Sequence, residues 1–92
     1  MSTSQLKALC TLTKQFVQSS AKYLSGPAGL RTQIDQRVTT ACASLALITP
    51  QLTPTQKAAA IAAYKLAVDG LAALGYLSPS QAATLKGLAD TL

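Results

Sequence analysis

Between Leu52 and Leu77 the chain reads LTPTQKAAAIAAYKLAVDGLAALGYL, a stretch whose two ends and interior all specify a helix. Thr53 stands as the N-cap, Pro54 at the first helical position and Gln56 three residues after the cap. The threonine hydroxyl takes the third amide of the helix while Gln56 reaches back to the cap's own N–H, so two donors left open at a helix start are satisfied. At the far end Gly75 is free to adopt the left-handed conformation that terminates helices. Ile61, Tyr64, Val68 and Leu71 form the larger apolar face, and only Lys57, Lys65 and Asp69 are charged. Alanines fill much of the remaining circumference, which lets a neighbouring backbone approach closely. Ala58, Ala59, Ala62, Leu66, Ala73 and Leu74 are therefore candidate packing residues.

The same reading extends to the rest of the chain and predicts helices over about 3–24, 29–48, 54–74 and 79–90. In the first, Ser2 and Gln5 repeat the capping spacing, and Leu6, Leu9, Cys10, Phe16, Val17 and Leu24 form an apolar stripe. Lys7, Thr11, Lys14, Gln18 and Lys22 form the opposite, polar stripe. Ser25-Gly26-Pro27-Ala28-Gly29 is a turn by composition and reverses the chain into a helical hairpin. It lacks the pattern of a phosphate-binding loop. In the second helix Leu30, Ile34, Val38, Ala41, Leu45 and Ile48 hold one face, and Arg31 and Asp35, four apart, are placed for an exposed pair. Thr49-Pro50 stops it, because the residue before proline is pushed out of the α region. Ser78-Pro79-Ser80-Gln81 then starts a last short helix whose buried side is Ala82, Leu85, Leu88 and Leu92. Gly87 weakens its interior by about 1 kcal/mol relative to alanine, so it depends on tertiary or partner contacts, and Leu88 and Leu92 join the packing candidates. The expected fold is all-α: a compact bundle of three longer helices plus a short C-terminal helix, in one domain over residues 1–92.

Function is constrained mainly by what is missing. The chain has no His, Glu, Asn or Trp, and its three acidic residues are all Asp. A Ser-His-Asp triad, a Cys-His dyad and a histidine zinc site are thereby excluded, and the aspartates are too scattered for an acidic calcium loop. No catalytic, cofactor or metal role is assigned to any residue. Charged residues make up 12% of the chain, about half the usual share of a soluble domain. Such a surface repels neighbours weakly and suits a protein that works in contact with another body.

The net charge of +5 admits nucleic acid, an anionic membrane or an acidic protein as partner. Lys7, Lys14 and Lys22 on one stripe, with Arg31 and Arg37 in the next helix, are the candidate contacts to phosphate. Without basic-aromatic alternation or a basic recognition helix, that contact would be non-specific. The N-terminal residues do not show the pattern of a secretory signal. The most apolar run, Ala58 to Leu77, carries Lys65 and Asp69 near its middle, which disfavours a membrane span.

Folding the first two helices about Gly26-Pro27 brings Cys10 level with the neighbourhood of Cys42. Packed helix axes lie ~8–10 Å apart, whereas bridged Cα atoms seldom exceed ~7 Å. Two buried free thiols are the favoured expectation, with a disulfide as the alternative that small neighbours would permit. The sequence thus predicts a non-enzymatic structural protein that packs through its alanine-rich faces into a larger homo- or hetero-oligomeric assembly, in the cytoplasm or in a particle such as a virion. A small cationic nucleic-acid-associated protein is the alternative, and a membrane-associated helical protein the second.

Overall fold

A computed structural model describes residues 3–49 and 51–92. Five helices follow one another: α1 (Thr3–Gln18), α2 (Ala21–Ser25), α3 (Ala28–Ala46), α4 (Pro54–Ala73) and α5 (Pro79–Asp90). The four longer ones pack in a closed ring in which α1 and α4 each touch both α3 and α5. Successive long helices run in opposite directions. Cys10 meets Cys42 and Tyr23 meets Asp35 across α1–α2 and α3, while Lys65 meets Asp90 and Asp69 meets Lys86 across α4 and α5. The architecture is a four-helix bundle, up-down-up-down, with α2 inserted in the first connection.

Each long helix sends one stripe inward. Leu9 and Val17 from α1, Ile34, Val38, Ala41 and Leu45 from α3, Tyr64, Val68 and Leu71 from α4, and Leu85 and Ala89 from α5 form one buried cluster. Thr13 joins them, fully buried, and is the one buried polar residue described. Its hydroxyl donates to the Leu9 carbonyl at 2.7 Å, the bond that removes a threonine's polarity within a helix. Having only one proton, it then accepts from the Tyr64 hydroxyl at 2.6 Å. Burial pushes the Tyr64 phenol above its usual pKa, and the bond to Thr13 works against that shift.

The anticipated first helix is two helices. At Ser20 the backbone is extended, and the side chain replaces the missing helical bonds: Oγ donates to the Val17 carbonyl at 2.8 Å and accepts from the Tyr23 amide. The break takes Leu24 off the apolar stripe, leaving it 64% exposed rather than in the core. The Ser2 capping box lies outside the described residues, as does Pro50. In α3 the β-branched pair Thr39-Thr40 is accommodated by bonds from each hydroxyl to the carbonyl four residues back, at 2.9 and 3.0 Å. That helix closes at Ala46 with Leu47 as its C-cap, two residues short of the expected end.

Both later helices start as the sequence predicts. Thr53 with Gln56, and Ser78 with Gln81, make complete capping boxes with proline in the first turn. Beyond α4, Gly75 has φ 90°, its amide bonds Ala72 O at 3.0 Å, and the Tyr76 amide bonds Leu71 O at 3.0 Å. This is the paired carbonyl capping of a Schellman ending, which a side chain at Gly75 would strain.

Cys10 and Cys42 are bridged, with Cα atoms 5.3 Å apart, so the expectation of free thiols is corrected. The ~8–10 Å figure describes axes separated by ordinary side chains. Here two half-buried cysteines face each other across the α1–α3 seam, which brings their Cα atoms within reach of a bridge.

Candidate functional site

Helix α4 is fixed on three sides and bare on the fourth. Ala60, Tyr64, Val68 and Leu71 bury its inner face, and Ile61 and Ala67 pack partly against the same core. Ala58, Ala59, Ala62, Ala63, Leu66, Asp69 and Ala73 are all exposed on the other side. Among the exposed residues of α4 Asp69 alone is charged, and Lys86 of α5 neutralises it at 2.7 Å. Lys65, half-buried at the flank, is matched at 2.7 Å by Asp90. Both pairs tie α4 to α5. The exposed ion pair expected between Arg31 and Asp35 is not formed. Asp35 accepts instead from the Tyr23 hydroxyl, at 3.0 and 3.2 Å. That hydrogen bond, aided by desolvation and by the aspartate's charge, raises the Tyr23 pKa, with Arg31 opposing.

Two grooves run along α4. One, of about 540 Å³, is lined by Ala58, Ile61, Ala62, Lys65, Leu66, Asp69 and Asp90. The other, about 400 Å³, lies between α3 and α4 and includes Leu47, Leu52, Ala59 and Ala63. At their edges Leu66 is 72% exposed and Leu47 67%. The α4 face is thus a low ridge of methyl groups from which Leu66 projects, with Leu47 at the end of α3 beside it.

Of the predicted packing residues, Ala58, Ala59, Ala62, Leu66 and Ala73 share this face, and Leu74 is exposed just beyond it. Leu88 and Leu92 lie elsewhere. They line a small depression between α1 and α5, and Leu92 is buried while Leu88, expected in the core, is 41% exposed. Ala89 takes the core position instead, because it continues the four-residue spacing from Leu85. Leu47 was missed although the signal was present: two positions past Leu45 it lies roughly 200° round the helix from the core stripe, and so faces outward.

The basic candidates do not gather into one patch. Lys7 and Lys14 remain exposed on α1. Lys22 rides on α2, where its ammonium donates to the Leu74 carbonyl at the end of α4 and sits 5.2 Å from the centre of the Tyr76 ring. Arg31 and Arg37 are both exposed on α3, but six positions turn a helix by roughly 240°, so they point to different flanks. Among the described residues no group of three His, Cys, Asp or Glu is placed to hold a metal ion, and no helix is long and apolar enough to cross a membrane. Comparison with protein-family models, with curated proteins and with solved structures finds no match.

Proposed function

We propose that this protein is a non-enzymatic packing module that joins a larger assembly through the outward face of α4. One observation carries the reading: the 20-residue helix exposes alanines and Leu66 with Asp69 as its single exposed charge, and that charge is already neutralised. A solvated helix face ordinarily carries unpaired charges and long polar side chains. This one offers small side chains that permit close backbone approach, and it loses little hydration when covered.

The molar mass of the purified chain by light scattering, after nuclease treatment and at low and high salt, tests the proposal. A defined assembly that survives high salt and is abolished by Ala73→Lys supports it. A monomer that had carried nucleic acid, and releases it in salt, would transfer the function to Lys7, Lys14 and the arginines of α3. Phosphate contacts are screened and ion-coupled, whereas apolar packing is not.

A further inference from the structure

We infer that the Cys10–Cys42 bridge is a site of covalent modification. A small thiol carrying carboxylates opens it by exchange, becomes disulfide-bonded to Cys42 and releases Cys10 as the thiolate. This site lies away from the α4 face and goes beyond the packing reading. Both cysteines are only half-buried, whereas Val38, Ala41 and Leu45 around Cys42 on α3 are buried. Both also line an open groove of about 490 Å³ between the start of α1 and the end of α3. Leu6, Leu45 and Ile48 give it apolar walls, and Lys7 is its one charged lining residue. A small molecule therefore reaches the bridge without unfolding the bundle.

The two sulfurs stand in different electrostatic surroundings. On a helix the neighbours of a side chain are those three and four positions away, about 5–6 Å off between Cβ atoms. For Cys10 they include Lys7 and Lys14, both exposed and without an ion-pair partner among the described residues. For Cys42 they are Val38, Thr39, Leu45 and Ala46, none of them charged. The sequence has no acid before Asp35, and Asp35 stands seven positions from Cys42 on the same side of α3, about 10 Å along its axis. Negative charge is thus better held on the Cys10 sulfur than on the Cys42 sulfur. In thiol–disulfide exchange the sulfur that better holds the charge leaves faster, so attack falls on Cys42 and Cys10 departs. The same two lysines draw an anionic thiol toward the groove.

The electron pair of the attacking thiolate forms the new bond to Cys42 Sγ. The Cys10–Cys42 bond breaks, and its pair stays on Cys10 Sγ. One disulfide is consumed and one is formed, so the step needs no oxidant or reductant other than the thiol itself. It unties α1 from α3, and return attack by Cys10 expels the small thiol and restores the bridge.

The test uses the folded wild type and reduced glutathione at neutral pH, sampled early, with free thiols capped by N-ethylmaleimide and tryptic peptides identified by mass. Cleavage after Lys7, Lys14, Arg37 and Lys57 puts Cys10 and Cys42 in separate peptides. Glutathione on Cys42 with maleimide on Cys10 should exceed the opposite pattern at least about threefold, the order expected of a modest difference between leaving thiols. Lys7→Gln combined with Lys14→Gln, both at exposed positions, should erase that excess. It should also slow exchange with glutathione more than exchange with uncharged 2-mercaptoethanol. A bridge that opens only as fast as hydrogen exchange shows the whole bundle unfolding overturns the inference, because it is then a structural tie alone. Equal labelling of the two cysteines, or glutathione chiefly on Cys10, overturns the assignment of the leaving sulfur. A preference that survives the double substitution overturns the role given to the lysines.

Discussion

The α1–α2–α3 half and the α4–α5 half of the bundle are held by different means. In α4 and α5 the instructions are local: two capping boxes, two first-turn prolines and a Schellman ending set the helix limits, and two inter-helix ion pairs fasten the pair. The first half is less locally determined. α1 gives way at Ser19-Ser20, α2 is only five residues long, and α3 begins at Pro27 with no side-chain cap. That is the half that carries the Cys10–Cys42 bridge. The contrast teaches that a covalent tie between α1 and α3 accompanies weak helix ends, whereas the α4–α5 hairpin, its helix limits set locally, leaves one face of α4 uncovered.

The most severe way to break this comparison is to remove the tie. Replacing both cysteines with serine opens a loop spanning 32 residues, which by loop entropy costs roughly 3–4 kcal/mol. For a chain of this size the melting temperature should fall by at least about 12 °C. Native-state hydrogen exchange should place the loss of protection in α1 to α3. Equal loss in α4 and α5 would show a single cooperative unit and dissolve the distinction between halves.

A smaller effect probes the polar tie between the halves. Thr13→Val leaves the buried Tyr64 hydroxyl without its acceptor and should cost about 1–3 kcal/mol in denaturant unfolding. Tyr64→Phe removes a donor from a threonine still bonded to the Leu9 carbonyl, so it should cost less. The reverse order would mean that the Tyr64 hydroxyl is readily satisfied elsewhere, and that Thr13 does not link the two halves as described.

The two halves also differed in how well the sequence could be read, for the same reason. Helix starts at Thr53 and Ser78 were legible because a cap and its glutamine lie within three residues of each other. Gly75 was legible because a positive φ selects glycine. The all-helical class and the inward residues of α3 followed from an unbroken period. In α1 the period continues through Ser19-Ser20, so the break was hidden; the signal lay in Ser20 itself, a good N-cap placed where an apolar stripe seemed to continue. The bridge, the Tyr23–Asp35 bond and the Lys65–Asp90 and Lys86–Asp69 pairs join residues 12 to 32 positions apart. Nothing local announces them. The alanines named for packing on α4 lie on its exposed face, and Leu92 is buried as expected, but Leu88 is not, because α5 is short enough for its apolar residues to fit more than one helical stripe.

Caps give a finer test of local encoding. Thr53→Ala and Ser78→Ala should each destabilise the protein by about 1 kcal/mol. Their effects should add, since the two caps belong to different helices and share no partner. If either substitution were silent, the last two helices would owe their limits to packing rather than to their own ends, and the contrast with the first half would shrink.

The lysines give the smallest and most discriminating test. Lys14 is exposed on α1, and Lys14→Met should alter stability by no more than about 0.5 kcal/mol. Lys22 differs because it spans the halves: from α2 it reaches the carbonyl end of α4 and the Tyr76 ring beyond it. A cation at a helix C-terminus and a cation over an aromatic face are each worth up to about 1 kcal/mol when exposed. Lys22→Met should therefore cost about 1 kcal/mol, with the loss of hydrogen-exchange protection appearing around Leu74 to Leu77 rather than in α2. If Lys22→Met and Lys14→Met prove equally silent in stability, and equally harmful to retention of nucleic acid, Lys22 belongs with the free cations. The first half would then be a cationic surface, and its tie to the end of α4 would carry no weight.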